Sequence, residues 1–239
     1  MSRRVSYHGS FSSAYNPVTD TRDLQLYLNQ NTATPSSWLD QSTNAFDFTQ
    51  GVVSRQPDTT DPLKVVFDGN DDQTKIVSNV FISDSGGIMF FSGYRPLDGS
   101  SGLYVVSSDR ITNNHHLSFA ISSSGKLTTQ IKSLPLDNII QSTNTVAAGD
   151  YFYGYIKSTG TGYEISLNGV IETIIVDRGS DNGKWYSNIP NRDNISLACI
   201  VRTTTDCTKP EINKVIYSNA TLTSLEIDEI NTFMSVPSN

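Results

Sequence analysis

The chain has 239 residues, a formal net charge of −7 and 17% charged residues. This length is sufficient for one large all-β domain with a full core. Apart from Arg3 and Arg4 the cations are scattered, and nucleic-acid binding depends on clustered cations, so we expect no nucleic-acid partner. No stretch approaches the ~18 consecutive apolar residues of a membrane span. The first residues also lack the apolar run of a secretory signal, so neither membrane insertion nor secretion is expected.

The first 20 residues are polar, rich in Ser and Tyr, and without a periodic apolar pattern. Such a segment forms either a disordered tail or an arm that docks on a neighbouring subunit. We therefore predict an extended arm over residues 1–20 and one folded domain over residues 21–239.

Short apolar segments separated by turn-forming clusters follow along most of the chain. The turns are rich in Gly, Asp, Asn and Ser, as in the Asp-Ser-Gly-Gly sequence of residues 84–87. Regular short strands at this spacing are typical of an all-β, two-sheet antiparallel sandwich or jelly roll. Besides the hairpin described next, the predicted strands cover residues 24–28, 64–67, 75–81, 88–91, 103–106, 117–121, 126–131, 151–156, 195–201 and 211–217.

Residues 163–176 contain two alternating segments joined by Asn168 and Gly169. These two residues tolerate the positive φ that a type I′ turn requires, so the sequence predicts a tight β-hairpin in which Leu167 lies opposite Val170. Three residues depart from the alternation and predict a bulge or a second covering layer, provided by a loop or a partner subunit: Ile171, Glu172 and Ile175.

Cys199 and Cys207 are separated by eight positions. Two cysteines cannot form a disulfide framework for a chain of this size. We therefore expect Cys199 to be a small core residue and Cys207 to be a free thiol in the following loop, in a protein made in a reducing cytoplasm.

Residues 223–226, Thr-Ser-Leu-Glu, form a capping box. In this motif the Thr223 hydroxyl and the Glu226 carboxylate satisfy backbone N–H groups at the start of a helix. The sequence therefore predicts one short C-terminal helix that ends near Ser235. Its predicted buried residues are Leu225, Ile230 and Phe233.

Four motifs then occur in the order typical of one superfamily. They are an opening strand with Ser-Trp-Leu-Asp-Gln-Ser at residues 37–42, Val-Val-Phe-Asp-Gly-Asn-Asp-Asp at residues 65–72, the Asn-Gly hairpin, and the strand and helix within residues 211–230. With these motifs the chain resembles the concanavalin A-like lectin/glucanase superfamily, and within it the laminin-G-like jelly rolls of phage virion proteins and bacterial surface proteins. Thr43 and Pro210 replace glycines that are common in the family. The resemblance covers residues 22–235 and implies a concanavalin A-like jelly roll.

Two groups of aromatic residues are candidates for glycan binding: Tyr151, Tyr153 and Tyr155 on one face of a predicted strand, and Trp185 and Tyr186 in a polar loop. Aromatic rings present apolar faces on which sugars stack, and tyrosine hydroxyls add hydrogen bonds. The alternative is that the tyrosines pack between the two sheets and that the tryptophan fills the base of its loop.

Asp68, Asp71 and Asp72 could supply oxygen ligands to calcium, which relatives of the resembled fold hold near a loop rim. Aspartates also cap turns through hydrogen bonds to the backbone, and these three lie in an evident turn, which we favour over a metal site. No cofactor is required on either interpretation. His115 and His116 are adjacent, so in a strand they point to opposite faces and cannot chelate one metal. We expect both histidines at the surface or in an interface.

Glu226, Asp228 and Glu229 resemble the carboxylate strand of laminarinase-type glucanases, which projects three carboxylates into one groove. Here Ile230 occupies the third required position, and a helix would spread the carboxylates around its surface. The sequence also contains neither a nucleophile elbow nor a phosphate-binding loop. We therefore predict no catalytic residue and a protein that is not an enzyme.

The polar N-terminal segment, the missing secretion signal and the resemblance to phage proteins favour a non-enzymatic virion protein. It would be a capsid-decorating, fibre or baseplate component made in the host cytoplasm. The expected partners are other virion proteins or further copies in a homo-oligomer, together with cell-surface glycans. The alternative is a stand-alone carbohydrate-binding lectin, which requires an exposed aromatic groove. A glycoside hydrolase, the third interpretation, would need a pair of carboxylates across an open cleft.

Overall fold

The computed structural model describes residues 15–78, 80–81, 83–202 and 205–237. The two α-helices in these ranges are α1 (Pro17–Asp20) and α2 (Ser224–Met234), and 3₁₀ turns occupy Val53–Arg55 and Tyr186–Asn188. The strands are β1 (Leu24–Thr34), β2 (Ser37–Asp40), β3 (Phe48–Thr49), β4 (Val65–Val66), β5 (Thr74–Ile76), β6 (Gly87–Tyr94), β7 (Gly102–Ser108), β8 (His115–Ile121), β9 (Lys126–Ser133), β10 (Leu136–Thr145), β11 (Tyr151–Ser158), β12 (Tyr163–Leu167), β13 (Val170–Ile171), β14 (Ile175–Arg178), β15 (Asn194–Leu197), β16 (Cys199–Ile200), β17 (Asp206–Cys207) and β18 (Glu211–Ser218). Neither helix has the length and apolar composition needed to cross a membrane.

The strands pair antiparallel and form two layers. The back sheet has the order β13-β12-β11-β6-β18-β1, with β4 also paired to β18. The front sheet has the order β5-β15-β7-β8-β9-β10-β14, and β2 and β3 link the two sheets between β1 and β5. A separate two-stranded hairpin is formed by β16 and β17. The architecture confirms the predicted all-β antiparallel sandwich with one short C-terminal helix.

The main hydrophobic core lies between the two sheets. Alternate residues of each strand point into it, so that Leu117, Phe119 and Ile121 of β8 are fully buried. The ring centroid of Phe119 lies 5.2 Å from that of Trp185, which reaches the core from the segment after β14. Burial of one such side chain stabilises the fold by about 2–3 kcal/mol.

The outer face of the back sheet is covered by α2. The capping box at Thr223 and Glu226 is present, so the predicted start of the helix is confirmed. Leu225 was expected to be buried, but it is 60% exposed. The helical period instead places on the buried side three residues spaced by three and four positions: Ile227, Ile230 and Met234.

The hairpin between β12 and β13 has the predicted tight turn. Asn168 and Gly169 have φ values of +50° and +79°, and Leu167 pairs with Val170. Both central residues therefore adopt the left-handed conformation that a type I′ turn requires.

The three residues that broke the alternation of this hairpin have different environments. Glu172 is buried, and its carboxylate accepts hydrogen bonds of 2.8 and 3.0 Å from the backbone N–H and the Nδ2 of Asn144. Ile175 is half-buried in β14. Ile171 was expected to be covered, but it is 65% exposed because β13 is the edge strand of the back sheet.

Strand β10 and residues 17–20 also depart from the sequence prediction. The long strand β10 was not predicted, because Asn138 and Ser142 are buried polar residues that hide its alternation. Of the predicted arm, residues 1–14 lie outside the described residues. Residues 17–20 form α1, which Asn16 caps by accepting a hydrogen bond of 3.0 Å from the N–H of Val18.

Cys199 is fully buried in the main core, as expected, but the expectation of a free thiol at Cys207 is wrong, because Cys199 and Cys207 form a disulfide with an S–S distance of 2.00 Å. The cause is the pairing of β16 with β17, which places the two cysteines directly opposite each other. This local pairing brings the two sulfur atoms together.

Loss of this disulfide is expected to lower the free energy of unfolding by about 2–3 kcal/mol, because the cross-link restricts the unfolded chain. The double variant Cys199→Ala/Cys207→Ala and the reduced wild type should show the same loss in urea denaturation. Reductant should leave the double variant unchanged, which makes that variant the control. A wild-type midpoint that does not respond to reductant would contradict the pairing.

Candidate functional site

The three tyrosines proposed for glycan binding lie together on the outer face of the back sheet, under α2 rather than between the sheets. Tyr155 is 2% exposed, and its hydroxyl donates a hydrogen bond of 2.9 Å to Glu164 Oε1. The hydroxyl of Tyr151 donates to the backbone oxygen of Met234, and Tyr153 packs against the same apolar cluster. Burial raises the pKa values of Tyr151 and Tyr155 above the ordinary value of a tyrosine. Their rings therefore stabilise the contact between sheet and helix.

Trp185 and Tyr186 are fully buried in the main core. The Trp185 Nε1 donates a hydrogen bond of 3.1 Å to the hydroxyl of Tyr217, and the guanidinium of Arg192 lies 5.2 Å from the centre of the Tyr186 ring. Burial leaves neither ring face open to a sugar. This position agrees with the alternative to glycan binding, in which Trp185 fills the base of its loop.

The carboxylates of Asp68, Asp71 and Asp72 lie within 4.8 Å of one another. Asp68 accepts hydrogen bonds of 2.8 Å from the backbone N–H and the Nδ2 of Asn70, and Asp72 accepts one of 3.0 Å from the N–H of Asp68. Asp71 Oδ2 lies 3.4 Å from Arg55 Nε. Burial and the neighbouring carboxylates raise the pKa of Asp72. These contacts are those expected of a turn, and calcium binding stays a prediction.

The carboxylates of α2 do not share a groove. Glu226 is bound by Arg22 and by the capping Thr223, and these contacts lower its pKa to about 2. Asp228 is exposed on the helix and Glu229 is half-buried. The helical spacing separates the three groups, as the capping box indicated.

A groove with a volume of about 690 Å³ opens where three strands of the back sheet end. We call it the end groove. It is lined by residues 83–87, 157–160 and 219–221. These segments meet because β6 pairs antiparallel with both β11 and β18, so that the start of β6 lies beside the ends of its two neighbours. The groove is thus produced by the topology and not by one local motif.

The side chains of the end groove are polar. A carboxylate, an ammonium group and an amide from Asp84, Lys157 and Asn219 accompany several hydroxyl groups. Asp84 Oδ1 accepts a hydrogen bond of 3.3 Å from Asn219 Nδ2, and Lys157 Nζ lies 3.4 Å from Glu164 Oε1. Each of these groups retains capacity for further hydrogen bonds, since a carboxylate has about four acceptor positions and an ammonium group three donors.

A buried chain of hydrogen bonds holds the carboxylate of Asp84 in place. Trp185 Nε1 donates to the Tyr217 hydroxyl at 3.1 Å, and this hydroxyl donates to Asp84 Oδ2 at 2.7 Å. Burial raises the pKa of Tyr217, which keeps the phenol protonated and able to donate. The core tryptophan therefore positions a residue of the groove through Tyr217.

Glycine is required at the floor of the end groove. A Cβ atom at Gly87, where φ is +151°, would lie 2.9 Å from the backbone oxygen of Ser218 and 2.9 Å from the Tyr217 ring. The sequence of residues 84–87 predicts only a turn. The sequence signal for the end groove was an aspartate followed by two glycines at the start of a strand. The position of Asn219 in the groove could not be predicted in this way, because it depends on strand pairing.

No protein-family model and no curated protein sequence matches the chain. Among solved structures, it is similar to the CBM40 domain of the Ruminococcus gnavus IT-sialidase bound to α2,3 sialyllactose, with 14% identity, a TM-score of 0.53, and coverage of 64% of this chain and 83% of that one. This similarity shows that the chain has a β-sandwich fold. Larger proteins contain the same fold. One is the Trypanosoma rangeli sialidase in complex with sialic acid, with 10% identity, a TM-score of 0.65, and coverage of 92% of this chain and 34% of that one.

A third similar structure is the NanB sialidase of Streptococcus pneumoniae, with 13% identity, a TM-score of 0.54, and coverage of 72% of this chain and 27% of that one. These sialidase neighbours contradict the expectation that the protein is not an enzyme. The CBM40 neighbour, which is bound to sialyllactose, agrees better with the carbohydrate-binding alternative than with the virion role. The virion role and the laminin-G-like assignment stay predictions.

Proposed function

We propose that the chain is a carbohydrate-binding module and that its end groove holds the glycan. The observation that carries the proposal is the convergence of a carboxylate, an amide, an ammonium group and several hydroxyls on one open groove of about 690 Å³. Sugars present hydroxyls that both donate and accept hydrogen bonds, and these side chains complement them. The fold shared with a CBM40 domain bound to sialyllactose supports the same function.

Each polar group has a distinct role in this proposal. Asp84 accepts hydrogen bonds from sugar hydroxyls, and its orientation is already fixed by Tyr217 and Asn219. Asn219 is exposed and offers both a donor and an acceptor. Lys157 donates to sugar oxygens. Gly87 keeps the floor of the groove free of a side chain.

The test begins with a glycan array and continues with calorimetric titration of the glycans that bind. We expect Asn219→Ala and Asp84→Asn each to weaken binding by about tenfold, the effect of losing one or two hydrogen bonds, one of them to a charged group. The matched control is Asn70→Ala, an exposed asparagine near the opposite end of β18. Thermal unfolding of each variant checks that the fold is retained.

Two results would contradict the proposal. One is the absence of binding to any glycan on the array and in titrations with lactose and 3′-sialyllactose. The other is wild-type affinity in both groove variants, which would place the glycan elsewhere on the molecule.

A further inference from the structure

The outer face of the front sheet carries a row of polar side chains. Strand pairing places His116 of β8, Lys132 of β9 and Asp137 of β10 directly opposite one another. Side chains in such pairs lie about 5 Å apart. Because Leu117 and Ile131 point into the core, their neighbours His116 and Lys132 point to the outer face.

A second row on this face adds an amide and a guanidinium group. Gln130, Ile139 and Arg178 are paired across β9, β10 and β14. Gln130 Nε2 donates a hydrogen bond of 3.0 Å to Asp137 Oδ1, and Arg178 donates one of 2.7 Å to Asp137 Oδ2. Although partial burial acts to raise it, these two bonds hold the pKa of Asp137 below its ordinary value.

Lys132 forms no direct ion pair with the described residues of this face, although its charge helps to lower the pKa of Asp137. Both oxygens of Asp137 are engaged by other groups, and within the described ranges no carboxylate oxygen lies within 4.0 Å of Lys132 Nζ. Arg202, which follows β16, forms an ion pair with Asp206 and acts electrostatically on His116. Three cations therefore accompany two carboxylates here, on a chain whose net charge is −7.

His116 is an independent sign that this face is built for a ligand. His116 was expected at the surface or in an interface, but it is 2% exposed, and neither ring nitrogen makes a hydrogen bond of good geometry to the described residues. The Gln130 side chain makes a hydrogen-bonding contact with the ring, and this contact opposes the lowering of the His116 pKa. A buried polar group without a hydrogen bond costs about 1–3 kcal/mol, so native proteins rarely retain one without a use. A neutral imidazole offers one donor and one acceptor.

We propose that this front face, defined by His116, Gln130, Lys132, Asp137 and Arg178, is a binding site for an acidic sugar. Lys132 and Arg178 bind the carboxylate of the sugar, and Arg178 suits this role because its planar guanidinium can donate two parallel hydrogen bonds. Gln130 donates to a neighbouring hydroxyl, and His116 lies at the base of the site. The site is separate from the end groove and does not depend on binding there.

The experiment compares acidic and neutral sugars by calorimetric titration of the full chain. The probes are 3′-sialyllactose, a glucuronic-acid disaccharide and lactose. We expect the wild type to bind at least one of the two acidic sugars more tightly than lactose. Lys132→Gln and Arg178→Gln should each weaken acidic-sugar binding by about fivefold or more, the effect of removing one ionic hydrogen bond.

The matched control is Lys126→Gln, on the same strand and the same face about 20 Å from Lys132. A second readout is the NMR signal of the His116 ring, which should shift when the acidic sugar binds and remain unchanged with lactose. The two acidic probes separate a sialic-acid ligand from a uronic-acid ligand. Asn219→Ala should leave the acidic preference unchanged, which distinguishes failure of this site from failure of the end groove.

The proposal is overturned if the wild type binds lactose as well as it binds both acidic sugars. It is also overturned if Lys132→Gln and Lys126→Gln give equal affinities, or if no acidic sugar binds at all. Higher salt should weaken the acidic interaction, since about 0.5 M salt screens exposed charges strongly.

Discussion

Replacing Trp185 with alanine is expected to lower the free energy of unfolding by about 3–5 kcal/mol. Its side chain is fully buried, and its ring centroid lies 5.2 Å from that of Phe119 and 6.4 Å from that of Tyr163. The substitution leaves a cavity in a packed core and also removes the hydrogen bond from Nε1 to Tyr217. The Tyr217 hydroxyl, which donates to Asp84, then loses the hydrogen bond and the packing that hold it in place.

Urea denaturation measures this loss, and Trp185→Phe separates its causes. The phenylalanine variant retains most of the packing but lacks the hydrogen bond, so we expect a smaller loss in unfolding free energy together with weakened glycan binding in the groove. Leu225→Ala is the control, because this leucine is 60% exposed and its truncation should change stability by less than about 0.5 kcal/mol. Normal stability with abolished glycan binding in Trp185→Ala would instead identify a surface contact.

Local features of the fold could be predicted because their causes lie in adjacent residues. The turn at Asn168 and Gly169 depends on two φ values, and the start of α2 depends on Thr223 and Glu226. In both cases the required chemistry lies within four residues of sequence. The prediction of the buried helix side was less accurate for Leu225, because the helical period alone does not fix which side faces the sheet.

The disulfide and strand β10 could not be predicted for two different physical reasons. Cys199 and Cys207 meet because β16 pairs with β17 in a register that places them opposite each other, and the spacing of the two cysteines alone does not give this register. In β10, Asn138 and Ser142 occupy buried positions where alternation predicts apolar residues. Asn138 Oδ1 accepts a hydrogen bond of 3.1 Å from the N–H of Ser180, which satisfies part of that buried side chain.

The candidate sites depended even more on long-range pairing. The grouping of three tyrosines on one face of β11 follows from strand alternation, but their cover by α2 does not. The end groove joins segments from β6, β11 and β18, and the front face joins four strands. Residue types such as Asp84, Asn219 and Lys132 are common on exposed surfaces, so their role becomes visible only when the sheet order is known.

The stability of the protein should fall when the pH is lowered below about 6.5, because His116 is buried as a neutral imidazole. Burial, opposed by a hydrogen-bonding contact with Gln130 and by the charge of Asp137 and aided by the charges of Arg202 and Lys132, lowers the pKa of His116 to about 4. In the unfolded chain the same group titrates near its ordinary pKa of 6.5. Between about pH 4 and 6.5 the unfolded state therefore binds more protons than the folded state.

The sign of the effect follows from this difference in bound protons. Acidification through this window favours the unfolded state, by about 1.4 kcal/mol for each pH unit and about 3 kcal/mol in total. Above about pH 6.5 both states hold His116 neutral, and this group then adds no pH dependence. Glu226, whose pKa is lowered to about 2, contributes a loss of stability only at more acidic pH.

Urea denaturation between about pH 5 and 7.5 tests this prediction when the wild type is compared with His116→Gln, which cannot titrate. In His116→Gln the unfolding free energy should change less steeply with pH than in the wild type. In the lower part of the window the difference in slope should correspond to about one bound proton. Lys126→Gln, which leaves His116 unchanged, should retain the wild-type slope. An NMR titration provides the independent measurement, since the His116 ring should remain neutral until the pH approaches about 4. Titration of this ring near pH 6.5, together with an unchanged slope in His116→Gln, would contradict the prediction and show that the imidazole is solvated. The two ring nitrogens would then contact water, and His116 would no longer support a ligand site on the front face.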